Sequence, residues 1–121
     1  MSNQAPRIES LSAVTVITRD MPRAVEFYDA LGFRRRYGSA DASFTSYHVG
    51  SGYLNVVLGT PPRDPWGRVI IYVSDVDAMH RQACAAGYVP ETAPADAPWR
   101  ERYFHLRDPD GNELSFARPL A

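Results

Sequence analysis

Two stretches of the chain are built to one plan, and that repetition limits the available folds more than any other feature. VTVITRDMPRAVEFYDALGF at 14–33 returns as VIIYVSDVDAMHRQACAAGY at 69–88. Val14 matches Val69, Val16 matches Ile71, Asp20 matches Asp75, Gly32 matches Gly87 and Phe33 matches Tyr88, all at an offset of 55 residues. Each copy reads as a β-rich apolar run, an Asp, an amphipathic helix, a Gly and an aromatic restart. Two copies are too few to stack and cap as a solenoid. The pattern therefore predicts a duplicated strand–helix–strand unit.

Taken in order, residues 1–10 are polar and read as a loose arm, and Leu11–Thr18 is β-branched enough for a strand. Asp20 can cap the next helix, and Pro22 is tolerated in its first turn because no N–H partner is needed there. Met21, Ala24, Val25, Tyr28 and Leu31 form its apolar stripe, and Gly32 supplies the left-handed stop. Strands follow over Phe33–Tyr37, Ser43–Val49 and Tyr53–Leu58. GTPPRDPWG at 59–67 is an extended, stiff linker. The second half repeats the scheme: a Val69–Val73 strand, then a helix opened by Asp75 or Asp77, with Val76, Met79, Ala83 and Ala86 inward. A short strand starts at Tyr88, and a proline-bearing loop covers 90–101. Strands Arg102–Leu106 and Glu113–Ala117 are joined by the RDPDGN turn.

The expected fold is α+β: two βαβββ modules, 11–58 and 68–118, within a single domain spanning 1–121. Together they should form a curved mixed sheet, helices on one side and a concave cleft on the other. With 45% hydrophobic and 22% charged residues the chain reads as an ordinary soluble protein. A net charge of −1 supplies no field for gathering nucleic acid or anionic lipid. The lone cysteine, Cys84, excludes an internal disulfide and multi-cysteine metal sites. MSNQAPRIES lacks a long apolar run, so neither signal peptide nor membrane span is expected and the cytoplasm is the default location.

RDMPRAVEFYDALGF at 19–33, SDVDAMHRQACAAG at 74–87 and DPDGNELSF at 108–116 resemble the vicinal oxygen chelate superfamily of glyoxalases, bleomycin resistance proteins and extradiol dioxygenases. Within it, LSAVTVITRD at 11–20, AVEFYDALGF at 24–33 and PWRERYFHLRDPDGN at 98–112 look like the antibiotic-binding, bleomycin-resistance branch. That resemblance implies paired βαβββ modules curled around a cleft, a homodimer, and a drug held without being altered. Metal-dependent members of the superfamily set one ligand on each of four cleft-facing strands. The matching positions here are Ala13, Asn55, Arg68 and Ser115. Ala offers no donor atom, Arg is a permanent cation, and Asn and Ser are weak ligands for zinc, nickel or iron. No metal and no other cofactor is therefore expected. A displaced site from His105, Glu113 and His48 is the alternative arrangement.

Arg68 could grip a carboxylate, phosphate or sulfonate through paired hydrogen bonds. A structural salt bridge is the competing reading. Trp66 and Trp99 lie in the two proline-bearing loops, where a flat ring can either stack on a planar ligand or plug the end of the core. Tyr103 and His105 share a strand face, Tyr72 shares one with Arg68, and Tyr47, Tyr53, Asn55 and Ser115 could extend the wall. His105 could also act as a general base, with Glu113 beside it. His80 reads as structural and Cys84 as a small helix-face residue without a histidine neighbour in sequence. The expected ligand-binding set is Arg68, Trp99, Tyr103, His105, Asn55, Trp66, Ser115 and Tyr72. The leading function is metal-independent binding or sequestration of a small molecule, as in antibiotic resistance of the bleomycin-binding type. The rival is an enzyme of the same fold, a lyase, isomerase or dioxygenase using His105 and Glu113.

Overall fold

A computed structural model describes residues 5–64 and 66–121. The first four residues of the expected arm and Pro65 of the linker lie outside the described residues. The first half forms β1 (Ala13–Thr18), α1 (Met21–Ala30), β2 (Arg34–Tyr37), β3 (Phe44–Val49) and β4 (Gly52–Leu58). The second forms β5 (Arg68–Tyr72), α2 (Val76–Ala85), β6 (Ala95–Asp96), β7 (Glu101–Arg107) and β8 (Glu113–Pro119). The strands form two four-stranded mixed sheets, ordered β1-β4-β3-β2 and β5-β8-β7-β6, rather than the single curved sheet expected. β1 pairs parallel with β4, and β5 pairs parallel with β8. The two halves are thus copies in topology as well as in sequence.

Local chemistry sets the boundaries. The carboxylate of Asp20 accepts the Arg23 N–H at 3.1 Å, and that of Asp75 accepts the Ala78 N–H at 3.0 Å. Each satisfies one of the donors that a helix start leaves unpaired. Both helices stop at glycines in the left-handed region, Gly32 at φ +91° and Gly87 at φ +93°. Gly38 is more tightly constrained. With φ +90°, a Cβ there would sit 2.4 Å from the Phe44 carbonyl oxygen, so the turn into β3 admits no side chain.

Alternation sends Val16 and Thr18, Leu54 and Val56, Phe104 and Leu106, and Leu114 and Phe116 inward. Both halves feed one continuous core. Phe27 lies off the stripe read from the sequence, yet it is fully buried, because the ring meets Tyr88 of the other half at 4.7 Å. α1 is therefore covered on two sides. The strand expected at Tyr88 does not form: residues 88–94 are irregular, and only Ala95–Asp96 pair with β7. Pro90 and Pro94 cannot donate to a ladder, and Tyr88 spends its ring on Phe27. Leu11 stays outside β1 and exposed, and Ala86, expected inward, caps α2 in solvent.

The halves are joined by the DPDGN turn. The Tyr28 hydroxyl donates to buried Asp108 at 2.7 Å, and Asn112 Nδ2 donates to the Ile17 carbonyl at 3.2 Å. Asp110 accepts from the Arg19 N–H and the Arg23 guanidinium, each at 3.0 Å, and from the Thr18 hydroxyl. On the far side Gln82 Nε2 donates to the Ala30 carbonyl at 3.0 Å.

Candidate functional site

The outward face of the second sheet collects most of the residues singled out above. Strand register arranges them in rows across β5, β8 and β7. Arg68, Glu113 and Arg107 form one row, Ile70, Ser115 and His105 the next, and Tyr72, Ala117 and Tyr103 the third. The central strand supplies the small residues Ser115 and Ala117, which the larger neighbours leave only 5% and 2% exposed. Ser115 is therefore a floor and offers a ligand little of its hydroxyl. On the rim, Ile70 (63%), Tyr72 (62%) and Trp99 (63%) are open to solvent. Their exposure is unusual for apolar side chains adjoining one another on a sheet.

An aromatic ladder runs along β7. Trp99 and Tyr103 have ring centroids 5.6 Å apart, and Tyr103 and His105 are 5.1 Å apart. Glu101, which the sequence reading did not single out, organises the upper end. Its carboxylate accepts Trp99 Nε1–H at 3.0 Å and the Tyr72 hydroxyl from across the small Ala117. The signal was present, since Glu101, Tyr103 and His105 alternate onto one face.

At the lower end Arg68 donates to Glu113 at 2.9 Å, and His105 Nδ1 stands 3.9 Å from the same oxygen. The salt-bridge reading of Arg68 is thus realised, although much of the guanidinium stays exposed. The hydrogen bond from Arg68 holds the Glu113 carboxyl below its ordinary range. His105 is also lowered, first by partial burial and then by the Arg68 charge, against opposing pulls from Glu113 and Glu91. A lowered imidazole is neutral at pH 7 and able to accept a proton.

Other candidates fall elsewhere. Asn55 lies on the corresponding face of the first sheet, with both amide atoms engaged: Oδ1 accepts from Ser46 at 2.7 Å and Nδ2 donates to Thr15 at 3.3 Å. Tyr53 carries Arg36 over its ring at 4.2 Å. Trp66 is half exposed and pinned through Nε1 to Asn112 at 3.2 Å, beside the DPDGN turn. Tyr47, expected in the wall, is buried in the core because its alternation matches Thr45 and Val49. Cys84 is exposed, and His80, one helical turn earlier, places Nδ1 3.9 Å from its sulfur. His48 stays on the first sheet against Tyr53, so the displaced trio is not brought together. Among the described residues, no three His, Cys, Asp or Glu side chains are grouped to hold an ion. A separate cleft of about 380 Å³ opens between the halves, with Phe33, His48, Met79, Gln82 and Tyr72 in its lining. Tyr72 joins that cleft to the rim of the sheet face.

A family profile described as Glyoxalase/Bleomycin resistance protein/Dioxygenase superfamily matches residues 10–116. Among solved structures, TioX from Micromonospora sp. ML1 is 27% identical over 93% of this chain and 100% of that one, with a TM-score of 0.76. A bleomycin-binding protein in complex with bleomycin is 22% identical over 92% and 98%, with a TM-score of 0.72. Lactoylglutathione lyase from Agrobacterium tumefaciens is 17% identical over 92% and 94%, with a TM-score of 0.74. No curated protein matches the sequence.

Proposed function

The chain belongs to the Glyoxalase/Bleomycin resistance protein/Dioxygenase superfamily, and from that premise we propose that it binds a planar small molecule non-covalently and without a metal. The observation that carries this reading is the ladder of exposed Trp99 and half-buried Tyr103 and His105, edged by the exposed Tyr72 and Ile70. Rigid rings with few rotamers lose little entropy when they cover a flat ligand. Arg68 and Glu113 offer the ligand a donor and an acceptor at the lower end. The bleomycin-binding neighbour holds its drug on the same fold, which supports sequestration of an antibiotic or toxic metabolite as the concrete form.

The donor set does not fit the family's metal. Ala13 supplies no donor atom, Arg68 is a cation spent on Glu113, and Asn55 has both amide atoms committed within its own sheet. No chemistry is routed through an ion here. One observation favours a second reading, catalysis by side chains alone: a neutral His105 beside Glu113 has the form of a general base with an orienting partner. A homodimer is the proposed assembly, as membership of the superfamily suggests. The cytoplasm is the proposed location, and no helix among the described residues is long and apolar enough to cross a membrane.

A compound library read by thermal shift tests the binding reading, since a ligand selective for the folded state raises apparent stability. The hit should lose about tenfold or more in affinity on Trp99→Ala, in line with roughly 0.5–1.5 kcal/mol for an aromatic pair plus the lost apolar contact. Mass analysis should return it unchanged. Conversion into a time-dependent product would establish the enzyme instead.

A further inference from the structure

The charges on the second sheet's outward face are paired with one exception. Arg68 is held by Glu113 at 2.9 Å, and Arg107 by Glu91 at 3.0 Å. The neighbours of Glu101 in sequence are turned elsewhere: Arg102 binds Asp77 and Asp96, each at 2.9 Å, and Arg100 reaches the Ala121 carbonyl at 3.5 Å. Arg118 pairs in register with Arg102, on the face of the sheet opposite Glu101. No Lys, Arg or His lies within salt-bridge distance of Glu101 among the described residues. Its two donors, the Trp99 indole and the Tyr72 hydroxyl, are neutral.

The carboxylate is therefore fixed in place but not neutralised, and its fixing groups are two aromatic rings that stand open to solvent. Tyr103 lies beside Trp99, its ring tilted at 32° and 5.6 Å away, and extends the aromatic surface next to the carboxylate. Ring faces carry negative quadrupolar potential, and a carboxylate adds a full negative charge in the same direction. An anion brought here would meet Glu101 uncompensated, since the exposed guanidinium of Arg68 lies at the opposite end of the face.

We infer that Glu101, Trp99, Tyr72 and Tyr103 form a subsite for an organic cation, an ammonium, guanidinium or ring-borne positive charge attached to the planar ligand. This rests on the binding reading above and specifies the charge of what is bound. It assigns orientation too: the flat part covers Tyr103 and His105, and the cationic part lies toward Trp99.

Three probes of one ring size separate the charge from the platform: N-methylquinolinium, quinoline at pH 8, and 2-naphthoate. Titrations of the full chain, followed through the indole N–H signals of Trp66 and Trp99, should show N-methylquinolinium binding about tenfold tighter than quinoline and tighter still than 2-naphthoate. The Trp99 signal should move and that of Trp66 should not. Glu101→Gln keeps an acceptor for the Trp99 indole and the side-chain shape, so within that variant N-methylquinolinium should bind no tighter than quinoline. If quinoline binds through Trp99 with no preference for the cation, or if Glu101→Gln leaves the preference intact, the cation subsite is overturned and the aromatic platform survives. Binding by none of the three overturns both.

Discussion

Two tyrosines are buried side by side, with rings 5.5 Å apart, yet they stand in opposite hydrogen-bonding positions. The Tyr28 hydroxyl donates to Asp108, whereas the Tyr47 hydroxyl lies beside the Asp29–Arg35 ion pair without a hydrogen bond of good geometry. Burial, with the Asp108 carboxylate at Tyr28 and the Asp29 carboxylate at Tyr47, raises both phenols above the ordinary range, so each is a protonated O–H at any working pH. Removing the Tyr28 hydroxyl strips a donor from a buried carboxylate, whereas removing that of Tyr47 relieves an unsatisfied group. Tyr28→Phe should thus cost about 1–3 kcal/mol, and Tyr47→Phe should be neutral or stabilising, measured by urea unfolding. Equal losses would show that the two hydroxyls are not so distinguished.

His105 gives a second test at this scale. Its folded pKa lies below the usual value near 6.5, so on acidification the unfolded chain binds the proton first. Its contribution to stability is complete above about pH 6.5 and is lost as pH falls through the folded pKa. Arg68→Ala removes one of the two lowering influences and frees Glu113 to attract the proton. The imidazole midpoint followed by NMR should rise in that variant, and an unchanged midpoint would mean that Arg68 does not act on His105.

Among the elements, the turn between β7 and β8 does more than reverse the chain. Asp110 is fully covered and takes up three donors from the β1–α1 junction, while Asn112 holds both Ile17 and Trp66. Asp110→Ala should cost about 2–3 kcal/mol, because three hydrogen bonds to a charged carboxylate are lost and the buried Thr18 hydroxyl loses an acceptor. A cost below about 0.5 kcal/mol would reduce the turn to a local reversal. Asp75→Ala, which removes only a helix cap, should cost about 1 kcal/mol.

The repeat, both caps, both glycine stops and the hairpin turn could be read from the chain because each is encoded within a few residues. So could which residues of one strand share a face: alternation alone puts Arg68 with Tyr72, and Tyr103 with His105. What alternation does not carry is which strands adjoin, and hence that Arg68 meets Glu113 or that Tyr72 reaches Glu101. Phe27 was missed for the same reason. Its partner, Tyr88, lies in the other half, so no helical stripe reveals it. Tyr47 was placed on the wrong face because the β3 boundary and its phase were left loose.

At the scale of the whole molecule, duplication yields two sheets with one core and two outward faces of unlike chemistry. The first carries Arg34, Arg36 over Tyr53, and a self-satisfied Asn55; the second carries the ladder and the acidic rim. The Trp99–Tyr103–His105 ladder therefore belongs to the second sheet, while the first sets His48 against Tyr53. The central claim, that this platform holds a flat molecule with no ion taking part, is met most directly by titrating indole-labelled protein with quinoline after exhaustive chelation. Saturable movement of the Trp99 indole signal is expected, with the same midpoint before and after chelation and quinoline recovered unaltered. A midpoint that is lost with the chelated ion, or a Trp99 signal that stays still while the ligand binds elsewhere, would contradict it.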